Sequence, residues 1–194
     1  MSSKFNEFRS TLSNLAGKLD LLKADFMDRE SFKKFASELN SKLKSWREVC
    51  ITGYFSEGMR KEFEKIAEWK KLRLICRKLD PKRTGDKKDL DALRKLSTIE
   101  PKGEGAGVEI KFSDIVHARL FVAFNRLPQT EDYSGLLILG SFDFNKDGIA
   151  GQRLDAGIST KNPDLIKSAI KLFEEMWNDS SSIPLDKAYP KETS

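Results

Sequence analysis

Residues 115–158 decide how the rest of the chain is read. They contain VHARLFVAFN (116–125), LLILGSFDFN (136–145) and QRLDAGIS (152–159), three segments of strand character that each carry two polar residues two positions apart. The pairs are His117 with Arg119, Ser141 with Asp143, and Arg153 with Asp155. Side chains two apart on a strand share one face, roughly 7 Å along it, so each pair is presented to one side. An imidazole, a guanidinium, a hydroxyl and a carboxylate gathered at one sheet edge suit attack on a phosphodiester. The imidazole can be the nucleophile, the guanidinium can hold phosphate oxygens, the hydroxyl can add a hydrogen bond, and the carboxylate can orient the imidazole.

Upstream of this stretch the apolar period alternates between helix and strand. Phe5, Phe8, Leu12, Leu15, Leu19 and Leu22 recur at steps of three and four, an amphipathic helix over about 4–24. Asp28 can cap a second helix to about Ser45, EVCITGYF (48–55) reads as a strand, and Ser56 can cap a third helix through Lys70. A strand over 72–79, a DPKRTG turn and a helix over about 87–97 follow. The alternation argues for crossover connections and parallel members in the sheet. The glycine-rich loop EPKGEGAG (100–107) lacks the Lys-Ser/Thr and the glycine spacing of a phosphate-cradling loop. Downstream, the polar loop 126–134 is a candidate for substrate contacts near the site. Asn162-Pro163-Asp164 opens a last helix to about Trp177, and the Ser, Pro and Lys content after Asp179 suggests a mobile tail.

Composition narrows the class. The 194 residues suit one domain with a helical appendage, and the net charge is +5. The basic excess is local: residues 60–88 hold twelve Lys/Arg against five Asp/Glu, a pattern that draws polyanions. No apolar run approaches a membrane span and no secretory leader is recognisable, so a cytoplasmic protein without a membrane partner is expected. Cys50 and Cys76 each lie in an apolar run, as buried reduced thiols do. One histidine cannot build a common zinc site. DFNKDG (143–148) resembles the first half of a calcium loop, but Leu154 stands where the twelfth-position Glu would fall. Neither a metal nor another cofactor is expected.

The motif order resembles the phospholipase D superfamily. His117-Ala-Arg119, Gly140-Ser141-Phe142-Asp143, Arg153-Leu154-Asp155-Ala156-Gly157 and a helix carrying Phe173 and Trp177 follow that family's H-x-K, G-S-x-N and acidic residue, over about residues 46–177. Three positions depart from it: Arg119 stands for Lys, Asp143 for Asn, and Phe124 where the family's Asp would fall. The resemblance implies an α/β fold with a mixed β-sheet flanked by helices on both faces. The expected division is an N-terminal helical extension (1–28), the phospholipase D-like domain (29–178) and a flexible tail (179–194).

The resemblance also implies a catalytic set of His117, Arg119, Ser141, Asp143 and Asp155, acting without metal through a phosphohistidine. That chemistry uses two histidines, and only one H-x-K/R occurs in the chain. A homodimer with two His117 side chains facing each other is therefore expected. Short single-motif members resemble nucleases, and with the local basic excess this favours DNA or RNA as substrate. One alternative is a catalytically weakened or inactive nucleic-acid-binding or assembly module. A phospholipid-headgroup hydrolase is the other.

Overall fold

The computed structural model describes residues 23–114, 119–127, 132–141 and 156–190. Eight strands form one mixed sheet: β1 (Ala24–Asp28), β2 (Glu48–Gly53), β3 (Lys71–Arg77), β4 (Gly107–Ser113), β5 (Arg119–Arg126), β6 (Tyr133–Gly140), β7 (Ala156–Thr160) and β8 (Ile183–Pro184). Their order across the sheet is β1-β7-β6-β5-β2-β3-β4-β8. The β2, β3 and β4 strands run parallel, joined by helical crossovers, and every other neighbouring pair is antiparallel. This is the α/β architecture with a mixed sheet that the family resemblance implies, and its parallel members are those the alternation of periods argues for.

The helices are α1 (Arg29–Ser37), α2 (Leu39–Lys42), α3 (Arg60–Trp69), α4 (Thr84–Leu96), α5 (Pro163–Asn178) and α6 (Leu185–Ala188). Apolar alternation along the strands divides them between two layers. On one face Val49, Ile51, Leu72, Leu74, Phe121 and Ile138 meet Phe32 and Phe35 of α1, Phe63 and Ile66 of α3, and Leu90, Leu93 and Leu96 of α4. On the other, Cys50, Ile75, Leu120, Val122, Phe124 and Leu137 meet α5 alone, through Ile166, Ile170, Phe173 and Trp177. Helix α5 begins where its sequence dictates. The Asn162 side-chain oxygen accepts from the N–H groups of Asp164 and Leu165, at 3.0 and 3.3 Å, and Pro163 occupies the first turn.

Arg73 lies within the α5-side layer. Its guanidinium donates to both carboxylate oxygens of Glu174, at 3.0 and 2.6 Å, and stands over the rings of Phe173 and Trp177. The fork geometry and the two aromatic faces are what make a buried arginine tolerable here.

Two segments differ from the sequence-based expectation. Ala24–Asp28, placed within the N-terminal extension, is an edge strand of the sheet, paired along its length with β7. The expected helix over 4–24 lies almost wholly outside the described residues. At the other end, where a mobile tail is expected, β8 joins the edge of β4 and α6 packs on the core. Tyr189 then bonds both backbone groups of Leu79, its hydroxyl donating to the carbonyl at 2.8 Å and accepting from the N–H at 2.6 Å. Its ring meets Phe112 edge-on, with centroids 4.8 Å apart. Two dockable aromatic and aliphatic side chains outweigh the polar composition around them.

Candidate functional site

The site is built at the end of the sheet where the parallel strands terminate. Arg119 opens β5 there and pairs directly with Gly140, the last residue of β6, which in turn pairs with Gly157 of β7. Directly opposed residues of antiparallel strands point to the same face. The half-buried Arg119 is thus followed, two strands in succession, by positions with no side chain. Phe32, Thr52 and Phe121 line the narrow cleft that Arg119 and Gly140 share.

Ser141 follows Gly140 and joins two motif segments. Its backbone N–H donates to the Ala156 carbonyl at 3.1 Å, and its hydroxyl oxygen accepts from the Ala156 N–H at 3.2 Å. The hydroxyl that the sequence assigns to phosphate therefore also holds the start of β7 against β6. Thr52 does similar work on the other side, where its hydroxyl oxygen accepts from the Leu120 N–H at 3.1 Å. Asp28 ends β1 at this same end and caps α1 by accepting from the Ser31 N–H at 2.8 Å. Hydrogen bonding from the Ser31 side chain, together with this backbone bond, holds its carboxyl below the usual carboxylate range.

His117, Asp143, Arg153 and Asp155 lie outside the described residues, as does the calcium-like run 143–148. In sequence His117 stands two residues before Arg119, Asp143 two after Ser141, and Asp155 immediately before Ala156. Phe124, at the position of the family's Asp, is fully buried on the α5 side and meets Tyr133 edge-on. Gly135 stands opposite it, and a Cβ there would lie 2.5 Å from the Ala123 carbonyl oxygen and 3.0 Å from the Phe124 Cβ. Phe124 is thus a packing residue of the layer beneath α5.

The loop after β5 needs correction. Arg126 and Tyr133 are paired at the far end of the β5–β6 hairpin, seven residues from Arg119 and so about 24 Å from it along the strand. The strand ends that flank the loop, Arg126 and Tyr133, therefore belong to the opposite end of the sheet from Arg119, and residues 128–131 between them lie outside the described residues.

A second group at the site end was not found from the sequence. Tyr54 follows β2 and donates to the buried Asp89 of α4 at 2.5 Å, while the other Asp89 oxygen accepts from the Glu57 N–H at 2.7 Å. The guanidinium of Arg77, at the end of β3, stands 5.1 Å from the Tyr54 ring centroid. Burial and the Asp89 carboxylate both push the Tyr54 phenol well above its ordinary value, so it remains a donor. Burial likewise pushes the Cys76 thiol up to about 12, as it does the Cys50 thiol, and neither is poised as a nucleophile. The one sequence signal for this group was Asp89 itself, an acidic residue on the apolar side of a lysine-rich helix.

The basic excess of residues 60–88 divides between the sheet's interior and its two ends. Lys71 pairs with Glu109 at 3.2 Å, Lys70 donates to the Trp46 carbonyl at 2.5 Å, and Arg73 is buried against Glu174. Arg60 pairs with Glu64 and Lys78 with Asp114. Among the described residues Lys61, Lys82, Lys87 and Lys88 have no ion pair. The last three follow β3 at the site end. Also among the described residues, no His, Cys, Asp or Glu cluster could hold a metal ion, and no helix is long and apolar enough to cross a membrane.

The sequence matches no protein-family model and no curated protein. Solved structures do resemble it. Polyphosphate kinase from Porphyromonas gingivalis superposes with a TM-score of 0.60 at 18% identity, over 80% of this chain and 26% of that one. Nuc from Salmonella typhimurium, a phospholipase D family member, gives 0.53 at 9% identity, over 83% and 97% of the two chains. NucT from Helicobacter pylori gives 0.52 at 15% identity, over 83% and 98%. This chain thus spans about a quarter of the kinase and nearly all of the other two. The chain has the phospholipase D-like fold.

Proposed function

We propose that this chain, with its phospholipase D-like fold, is a metal-independent phosphodiesterase that acts as a homodimer on DNA or RNA. The observation that carries the reading is the direct pairing of Arg119 with Gly140. It supports the reading by setting Arg119, the last residue of H-x-R, against the G-S segment, and Ser141 bonds Ala156, which follows Asp155 in the third segment.

The chemistry would run in two displacements. An imidazole nitrogen of His117 attacks phosphorus, the phosphorus–oxygen bond to the leaving nucleoside breaks, and the partner subunit's His117 gives that oxygen a proton. Water then attacks the phosphohistidine, its proton passes to the partner's His117, and the phosphorus–nitrogen bond breaks to release the phosphate monoester. An imidazole titrates near neutrality and can serve both as base and as acid. Arg119 would bind the non-bridging oxygens in bidentate fashion, a task at which a guanidinium exceeds an ammonium. Asp155 would orient the imidazole.

Plasmid incubated with the protein in EDTA is expected to be cut, and His117→Ala to abolish the cutting. Light scattering is expected to show two copies of the chain in the active species. The engagement of the Ser141 hydroxyl with Ala156 favours a second reading, a nucleic-acid-binding or assembly module without turnover. Binding without cleavage in both proteins would establish that reading, and turnover of phosphatidylcholine vesicles with none of DNA would establish a headgroup hydrolase instead.

A further inference from the structure

We infer that the end of β3, the loop after it and the first two turns of α4 form the track along which a nucleic-acid strand leaves the Arg119 site. The inference rests on the phosphodiesterase reading and assigns that substrate a path. Residues 77–88 carry six Lys/Arg against two Asp/Glu. Lys78 is matched by Asp114, and Arg83 only loosely by Asp80, at 3.6 Å with both side chains largely exposed. Lys82, Lys87 and Lys88 are exposed and have no ion pair among the described residues.

Placement makes these charges a track rather than a scatter. Thr52 pairs with Leu120 on one side and with Ile75 on the other, so β5, β2 and β3 terminate in line. Arg77 therefore stands two strand spacings from Arg119, about 10 Å. The contact of Arg77 with the Tyr54 ring and the bond from Tyr54 to Asp89 link this sheet end to α4 one residue after Lys88. Five residues of helix from Arg83 to Lys88 add about 7.5 Å. The two spans sum to about 17 Å, comparable with about five steps of a stacked strand at ~3.4 Å of axial rise each.

A nucleic acid fits this line better than a membrane does. Among the described residues the exposed large hydrophobics, Phe26, Trp69, Leu127 and Leu172, all lie away from it, whereas surface-bound membrane proteins insert apolar side chains beside their cations. A strand of phosphates needs a row of cations and tolerates wide spacing between them.

The test uses the full chain carrying His117→Ala, with and without Lys82→Glu, Arg83→Glu, Lys87→Glu and Lys88→Glu together. Binding of fluorescein-labelled trinucleotide and octanucleotide is measured across a salt series. The octanucleotide is expected to bind His117→Ala protein at least about tenfold more tightly than the trinucleotide, and the fourfold variant to lose that advantage with a shallower salt slope. In proteins that keep His117, the ratio of oligonucleotide to bis(p-nitrophenyl) phosphate turnover is expected to fall about tenfold or more with the same substitutions. Equal octanucleotide binding by both proteins overturns the track, as does a charge-dependent affinity for phosphatidylserine vesicles with none for oligonucleotide. Loss of length-dependent binding in a protein that hydrolyses no diester at all would sustain the track and retire the phosphodiesterase.

Discussion

The two ends of the sheet both carry cations, and they treat them in opposite ways. At the end where β3 and β4 begin, Lys71 pairs with Glu109, Arg126 with Glu48 at 3.4 Å, and Lys102 with Glu68 at 3.0 Å. The backbone there is stitched as well. The Asn125 side-chain oxygen accepts from the Arg47 N–H at 2.8 Å, and its amide donates to the Ser45 carbonyl at 2.7 Å. At the other end Lys78 pairs with Asp114 and Arg83 loosely with Asp80, while Lys82, Lys87 and Lys88 are exposed and have no ion pair among the described residues; Arg119 stands in register with two glycines. The difference separates scaffold from site. Charge that serves cohesion is answered within the chain, and the lysines of the loop after β3 and of α4 are the ones the proposed function leaves for a ligand.

Removing Arg119 should be the severest test of this division. Arg119→Ala is expected to lower kcat/KM for a small diester by about 100- to 1,000-fold with little change in Tm. Arg119→Lys should recover a large part of the loss if charge at that position is what matters. Equal loss of stability and activity would place Arg119 with the scaffold. Glu174→Ala should do the reverse, leaving the Arg73 guanidinium buried without its carboxylate and lowering stability by about 3 kcal/mol in denaturant titration. Glu174 is one-third exposed, which keeps the effect at the lower end for a broken buried pair. Activity per folded molecule should be unchanged.

Gly135→Ala sharpens the same contrast in the scaffold half. The added methyl must displace the Ala123 carbonyl or Phe124, at an expected cost of about 1–3 kcal/mol. Acid gives a fourth test. The hydrogen bonds from Arg73 hold the Glu174 carboxyl below its ordinary value, so its contribution to stability is present above the unfolded carboxylate pKa and lost as pH falls through the folded one. Stability is expected to fall less steeply between about pH 5 and 3 in Glu174→Gln than in the unaltered protein. The smallest effect belongs to Lys71→Ala, which removes an exposed pair and should cost less than about 1 kcal/mol without altering cleavage.

Most of the sheet could be read from alternation alone, because β2, β3, β5 and β6 are apolar runs bounded by turn residues. β1 could not. ADFMD is short, acidic at both of its polar positions and preceded by a helical stripe, and only the open edge of β7 makes it a strand. Arg73 shows the same limit from the other side. It interrupts an apolar strand, and what accommodates it lies 101 residues away in Glu174. The misplaced loop 126–134 was avoidable. A hairpin that brings Arg119 opposite Gly140 must turn at its other end, so the pairing of the motifs already dictated where the loop goes. The Tyr54, Asp89 and Arg77 group had no such clue, since nothing in local periodicity joins the end of one strand to the second turn of a helix 35 residues on.

Tyr189 reaches back across 110 residues to grip Leu79, the residue from which the cationic loop departs. The C-terminal segment is therefore a buckle on the strap that carries Lys82 and Arg83. Proteolytic trimming or a bulky appendage at that end could slacken the strap and change how tightly a polyanion is gripped, with every cation intact and the sheet still folded.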